Sequence, residues 1–206
     1  MILLRNIIFV ILVTLLALSL LACGNDNKGA IDNSHSNEPS QTIVETSNEN
    51  NDNTEDVPSI AGICLDDTKE KIDKVLGKDY KETFSEVEGH FGEPYYLREY
   101  IDGISLIIGK NSRKVLEIEL VSGNYQTWLG DNIGDTAGDV LSKYREKYAE
   151  PKSIHSDEKL EGWFDVGDGI LIIFDFNKDD DTITNVDISP DSKVELIKLT
   201  KMQYMD

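Results

Sequence analysis

One pattern occurs twice in this chain and restricts the folds open to it. Ile63-Cys64-Leu65-Asp66-Asp67-Thr68 leads into a helical stretch, Lys69 to Leu76, closed by Gly77; Asp131-Asn132-Ile133-Gly134-Asp135-Thr136 leads into Ala137 to Tyr148, stopped by Pro151. Each Asp-Thr pair suits a helix N-cap, and Asp67 with Glu70 approximates a capping box. Ile72, Val75 and Leu76 form one apolar helix stripe, and Val140, Leu141, Tyr144 and Tyr148 form the other. Glycine after the first helix and proline after the second are the expected stop signals.

Antiparallel strands are expected after each helix. In the first unit Tyr95 to Ile101 meets the Asp102-Gly103 turn, Ile104 to Ile108 returns, and Lys114 to Val121 alternates apolar and polar residues. In the second unit Gly162 to Val166 passes through Gly167-Asp168-Gly169 into Ile170 to Phe176, and Ile183 to Ser189 closes. The offset that aligns Asp67-Thr68 with Asp135-Thr136 also aligns Ile118 with Val186 and Leu120 with Ile188. That coincidence favours an internal duplication. The expected fold class is α+β: two tandem helix-plus-antiparallel-β-meander repeats, residues 58–128 and 129–206, forming one sheet with helices on one face. The segment Lys193 to Tyr204 reads equally as a final helix or an edge strand.

This helix and meander resembles the repeats of β-lactamase-inhibitor-protein-like and SmpA/OmlA-type small lipoprotein modules, which carry a short Gly-x-Thr-xxx-Val-xxx-Leu-Gly helix before antiparallel strands. Asp67-Thr68-Lys69-Glu70-Lys71-Ile72 with Leu76-Gly77 matches that motif; Gly134-Asp135-Thr136-Ala137-Gly138-Asp139-Val140 matches its start and lacks the closing Leu-Gly. The pattern is also similar to secreted lipoproteins of low-GC Gram-positive bacteria. The resemblance implies binding to other proteins and not catalysis, although fold alone does not fix function.

The N-terminus carries a second signal. After Arg5 an apolar segment runs from Ile7 through Leu21, relieved only by Thr14 and Ser19, and it ends at Asn25-Asp26-Asn27. A basic start followed by an apolar core of about 15 residues is the secretory signal pattern, and it is short for a permanent span. Leu20-Leu21-Ala22-Cys23 resembles the lipobox of bacterial lipoproteins. That resemblance implies a signal peptide over residues 1–22, cleavage before Cys23, and a diacylglycerol on the Cys23 thiol. The thiolate is the nucleophile such alkylation needs, and two acyl chains suffice for stable anchoring. The lipid bilayer is then the first expected partner, and the location is the extracytoplasmic face of the cell membrane.

Residues 23–57 are rich in Asn, Ser, Thr, Glu and Asp, with Lys28 the only base, and read as a disordered tether. Its typical reach would be roughly 30–35 Å. A formal net charge of −19 over 206 residues argues against nucleic-acid partners and against flat adsorption to anionic lipid. With Cys23 lipidated, Cys64 has no disulfide partner and reads as a small buried hydrophobe.

Few residues suggest chemistry. Asp175, Asn177, Asp179 and Asp181 alternate like a calcium loop, but Asp180 stands where glycine is needed and Val186 where the closing glutamate is needed. An acidic hairpin turn is the simpler reading. His90 and His155 show no metal-pair spacing, and no nucleophile signature accompanies them. No catalytic residue, cofactor or metal is assigned; Cys23 lipidation is the one site. Tyr96 and Trp163 are the candidate aromatic anchors of an interface. The expected function is a non-catalytic module binding a protein or an envelope component. The rival readings are a cell-envelope hydrolase using His90 or His155, and an acidic cation-binding surface protein.

Overall fold

The computed structural model describes residues 57–205. The leader, Cys23 and the tether to residue 56 lie outside the described residues. Two helices, α1 (Lys69–Val75) and α2 (Ala137–Arg145), accompany seven strands: β1 (Tyr80–Ser85), β2 (Tyr95–Tyr100), β3 (Ile104–Gly109), β4 (Val115–Leu120), β5 (Trp163–Asp165), β6 (Ile170–Asp175) and β7 (Leu196–Lys201). All seven strands form one antiparallel sheet in the order β1-β2-β3-β4-β7-β6-β5. The α+β class holds.

The register sorts the strands into two faces. Leu106, Ile118, Leu120, Ile197, Leu199, Ile172, Phe174 and Phe164 are buried in one cluster with Ile72 of α1 and with Ala137, Val140, Leu141 and Tyr144 of α2. Both helices therefore cover the same face. Leu171 and Ile173 point the other way and pack with Trp163, and a register shift between β3 and β4 turns Leu116 to that side, where it packs with Phe91 and Tyr204. The period of two along the strands produces this division, except at the β4 irregularity opposite Ile107 and Ile108.

The helices are shorter than their patterns suggest. Only Ile72 of α1 is buried; Val75 is 46% exposed, and the helix ends as Gly77 takes φ +80°. A left-handed residue there suits only glycine well. In α2 the residues Ala137, Val140, Leu141 and Tyr144 are all buried at helical spacing. The helix stops at Arg145, ahead of Tyr148, because Ala149 must be extended to accept from the Asp165 N–H at 3.0 Å. The residue before Pro151 is likewise biased away from helix.

The capping differs from expectation. Thr68, not Asp67, is the N-cap of α1, and its side chain makes no capping bond. Asp67 instead accepts from the Cys64 N–H at 2.7 Å, as Asp135 accepts from the Asn132 N–H at 2.7 Å. Thr136 caps α2 by accepting from the Asp139 N–H at 3.2 Å.

Two strand assignments change. The stretch 183–189 is irregular, and Val186 is 73% exposed. Ile183, Val186 and Ile188 break the two-residue period, and Asp181 and Asp187 take positive φ, which no regular strand tolerates. Asn185 fixes this loop: it donates to the carbonyls of Glu161 (2.9 Å) and Phe174 (2.7 Å) and accepts from the Phe176 N–H (3.0 Å). The closing strand is β7, which the sequence left undecided. It lies inside the sheet and not at an edge, pairing Leu199 with Ile118 of β4 and with Ile172 of β6. The other addition is the edge strand β1, whose mostly exposed Tyr-Lys-Glu-Thr-Phe-Ser gives little hydrophobic signal.

Candidate functional site

The site begins with the cross-strand rungs of β1 and β2. Register places Tyr80 opposite Tyr100, Glu82 opposite Arg98 and Phe84 opposite Tyr96. These pairs interact as same-face neighbours should. The Tyr80 and Tyr100 rings lie 5.4 Å apart, and those of Phe84 and Tyr96 lie 5.0 Å apart.

Between them Arg98 is 1% exposed. Its Nε donates to Glu82 at 2.7 Å, an NH group donates to Asp73 of α1 at 3.0 Å, and its guanidinium sits 4.1 Å from the Tyr80 ring centroid. Burial alone would lower the guanidinium's proton affinity, but the Glu82 bond and the surrounding acidic groups outweigh it and push the pKa up. Arg98 ties α1 to the edge of the sheet.

Beside this anchor lies a groove of about 610 Å³, floored by Glu82, Tyr96, Arg98 and Ile108. One wall is the start of α1, with Thr68, Lys69 and Glu70; the other is the β3–β4 turn, with Gly109, Lys110, Ser112, Arg113 and Lys114. The walls are joined by a single β-bridge between Thr68 and Lys114.

The turn is firmly held. Glu93 accepts from the Asn111 N–H at 2.6 Å and the Ser112 N–H at 3.0 Å, and the Lys110 N–H donates to the Pro94 carbonyl at 2.8 Å. Partial burial works against the Glu93 charge, yet the bonds from Ser112 and Asn111 hold its carboxyl below the usual range. Gly109 lies directly against this carboxylate and the Ser112 hydroxyl, leaving no room for a Cβ.

The groove's charge contrasts with the rest of the domain. Lys71, Lys78, Lys81, Lys143, Arg145, Lys152, Lys159, Lys178, Lys198 and Lys201 all pair with carboxylates. Among the described residues Lys69, Lys74, Lys110, Arg113, Lys114 and Lys193 form no such pair, and four of these six line the groove. Lys110 lies 5.0 Å from the Phe84 ring centroid. The Glu70 carboxyl is held below its ordinary range by its own backbone N–H and the Thr68 hydroxyl, with lesser help from Arg113 and Lys69.

Tyr96, singled out in the sequence, lines this groove. Trp163 does not present an anchor: it is 6% exposed, and its indole N–H donates to the Ile183 carbonyl at 3.1 Å. The groove's cations were missed because they are scattered in sequence; Lys110, Arg113 and Lys114 at one turn of an acidic chain were the available signal.

The remaining candidates lie elsewhere. His90 is exposed and stacks on Phe91 with centroids 4.3 Å apart, and His155 is exposed in a separate turn. Asp175 is buried and accepts from the Asn177 N–H at 2.8 Å; Asn177 donates to Asp180, and Lys178 pairs with Asp179 at 2.6 Å. No group of three or more His, Cys, Asp or Glu placed to hold a metal occurs among the described residues. Cys64, expected as a small buried hydrophobe, is half-buried, and burial pushes its thiol pKa up. A wider and more open depression of about 860 Å³ adjoins Gly62, Gln126 and Trp128 without a comparable cluster of charge. No helix among the described residues is long and apolar enough to cross a membrane.

No family model matches this chain, and no curated protein matches it. Among solved structures it is similar to the uncharacterized protein yfeY from Escherichia coli, at 16% identity over 65% of this chain and 88% of that one, with a TM-score of 0.33. That likeness is too slight to carry an argument.

Proposed function

We propose that this chain is a lipid-anchored extracytoplasmic binding module that recognises a protein or envelope component without catalysing a reaction, and that the groove over Tyr96 is its contact surface. The observation carrying this reading is the gathering of Lys69, Lys110, Arg113 and Lys114, outside any salt bridge, around one aromatic floor in a chain of net charge −19. Aromatic and arginine side chains beside a cleft are the usual energetic centre of a contact. The anchoring half of the reading rests on the lipobox-like Leu20-Leu21-Ala22-Cys23.

We also read the domain as two fused copies of one helix-and-meander unit. Support comes from the paired roles of Asp67 and Asp135, and from the bridges Thr68–Lys114 and Thr136–Lys193, which join each N-cap to the residue near the start of its unit's last strand. Matching bonds follow: the Val115 N–H donates to the Asp67 carbonyl and the Val194 N–H to the Asp135 carbonyl, each at 3.0 Å.

The test is a photo-crosslinking residue placed at Tyr96 of the full chain in its native membranes. A discrete adduct, absent when the same residue replaces exposed Ile101, is expected. No adduct at Tyr96, or the same adduct at both positions, would remove the groove from the function. Activity lost on His90→Ala or His155→Ala would favour the hydrolase instead.

A further inference from the structure

We propose that the groove between α1 and the β3–β4 turn binds a phosphate-ester group carrying two or more negative charges. The inference rests on the binding-module reading and specifies the chemistry of its ligand. Lys69 reaches the groove from the helix side, and Lys110, Arg113 and Lys114 from the turn. A carboxylate offers two oxygens and one charge; a phosphate ester offers several oxygens spread in three dimensions. The latter engages more cations at once from two walls, through the fork of arginine and the point charges of lysine, than a carboxylate with its single charge. Glu70 and Glu82 also line the groove, but Arg98 pairs with Glu82, and the remaining excess of cations over carboxylate concentrates a counter-ion. Tyr96, with Phe84 beside it, supplies a flat aromatic surface for the organic part of the ester.

A second observation concerns Arg113 itself, whose backbone lies in the left-handed region at φ +58°. Glycine or asparagine is the ordinary occupant of such a position, so arginine is held there at a conformational cost. The bonds from Asn111 and Ser112 to Glu93 keep the turn in place before any ligand arrives. Preorganisation of this kind strengthens binding because little ordering remains to be done.

The experiment titrates the full-length chain in neutral detergent, by calorimetry, with inorganic pyrophosphate and with a short-chain water-soluble phosphatidylglycerol. Saturable binding is expected, weakened at least tenfold in Arg113→Gly and in Lys110→Gln. The control, Lys74→Gln with Lys193→Gln, removes two cations outside the groove and should stay within twofold of the parent. Arg113→Gly relieves the backbone, so its melting temperature should equal or exceed the parent's; weakened binding then cannot be attributed to misfolding. Groove-dependent binding of pyrophosphate supports the proposal and points to a soluble or polymeric ester. Groove-dependent binding of phosphatidylglycerol alone supports it and assigns the phosphate to a lipid headgroup. Blank titrations with both probes, or equal loss in the control, overturn it. If the Tyr96 adduct forms while both titrations are blank, the ligand class fails and the binding module stands; if neither is seen, both fail.

Discussion

Arg98 offers the sharpest test of how this structure is held. Replacing it with methionine keeps apolar volume near the site but removes the charge that Glu82 and Asp73 share. Removing one partner of a buried ion pair costs about 3–5 kcal/mol, because the other charge stays behind unpaired. Here the abandoned carboxylates are 33% and 16% exposed, so water can partly rehydrate them and the lower end applies. Loss of the contact with Tyr80 adds roughly 0.5–1 kcal/mol. The expected total for Arg98→Met is about 3.5–4 kcal/mol, or roughly 7–16 °C in melting temperature for a domain of this size. Urea unfolding followed by both tryptophan fluorescence and circular dichroism measures it. The triple variant Arg98→Met, Glu82→Gln, Asp73→Asn should recover most of the loss, since no stranded charge remains. A change below about 0.5 kcal/mol for Arg98→Met, or no recovery in the triple variant, would refute the claim that this charge network holds α1 to the sheet.

Three further outcomes are expected. Gly109→Ala should cost about 1–3 kcal/mol in urea unfolding, because its methyl meets the Glu93 carboxylate and Ser112 hydroxyl; a neutral result would show that the turn yields freely. Burial, then the nearby Asp180 and Glu195 charges, raise the Asp175 pKa, so the native state binds more protons than the unfolded one between the ordinary value of about 3.9 and the raised one. Stability from this group therefore falls as pH rises through that window, and Asp175→Asn should raise the melting temperature at pH 7 but not at pH 3. Cys23→Ser should leave the full chain at precursor size or outside the membrane fraction; a mutant of mature size still in the membrane would end the lipoprotein reading.

Much of the domain was legible because its strands are short alternating or continuous apolar runs bounded by turns. Ile104-Leu106-Ile108 and Leu171-Ile173 against Ile172-Phe174 alternate cleanly, and β2, β3, β4, β5 and β6 fall within a residue or two of their expected ends. The false strand at 183–189 has apolar residues without that period, and its place is determined by Asn185, whose three bonds reach partners distant in sequence. β1 was invisible because an edge strand with most of its side chains in water carries almost no hydrophobic pattern. The groove was illegible for another reason. Its charged walls come from α1 and from a turn about forty residues later, and the spacing of Lys69 and Arg113 in sequence says nothing of their approach in space.

Composition and pattern by themselves determined the net acidic charge, the α+β class and the sites where both helices begin. Those properties depend on local periodicity and on charge, which the chain carries wherever it goes. Only the tertiary structure decided that β7 runs through the middle of the sheet and joins its two halves, because strand order depends on which faces remain to be buried once the helices have docked. Only it decided, too, that Trp163 is buried while Tyr96 lines a groove. Both are aromatic residues on strands, and their difference lies in what covers each face: Trp163 meets Leu171 and Ile173, whereas nothing among the described residues closes the groove above Tyr96.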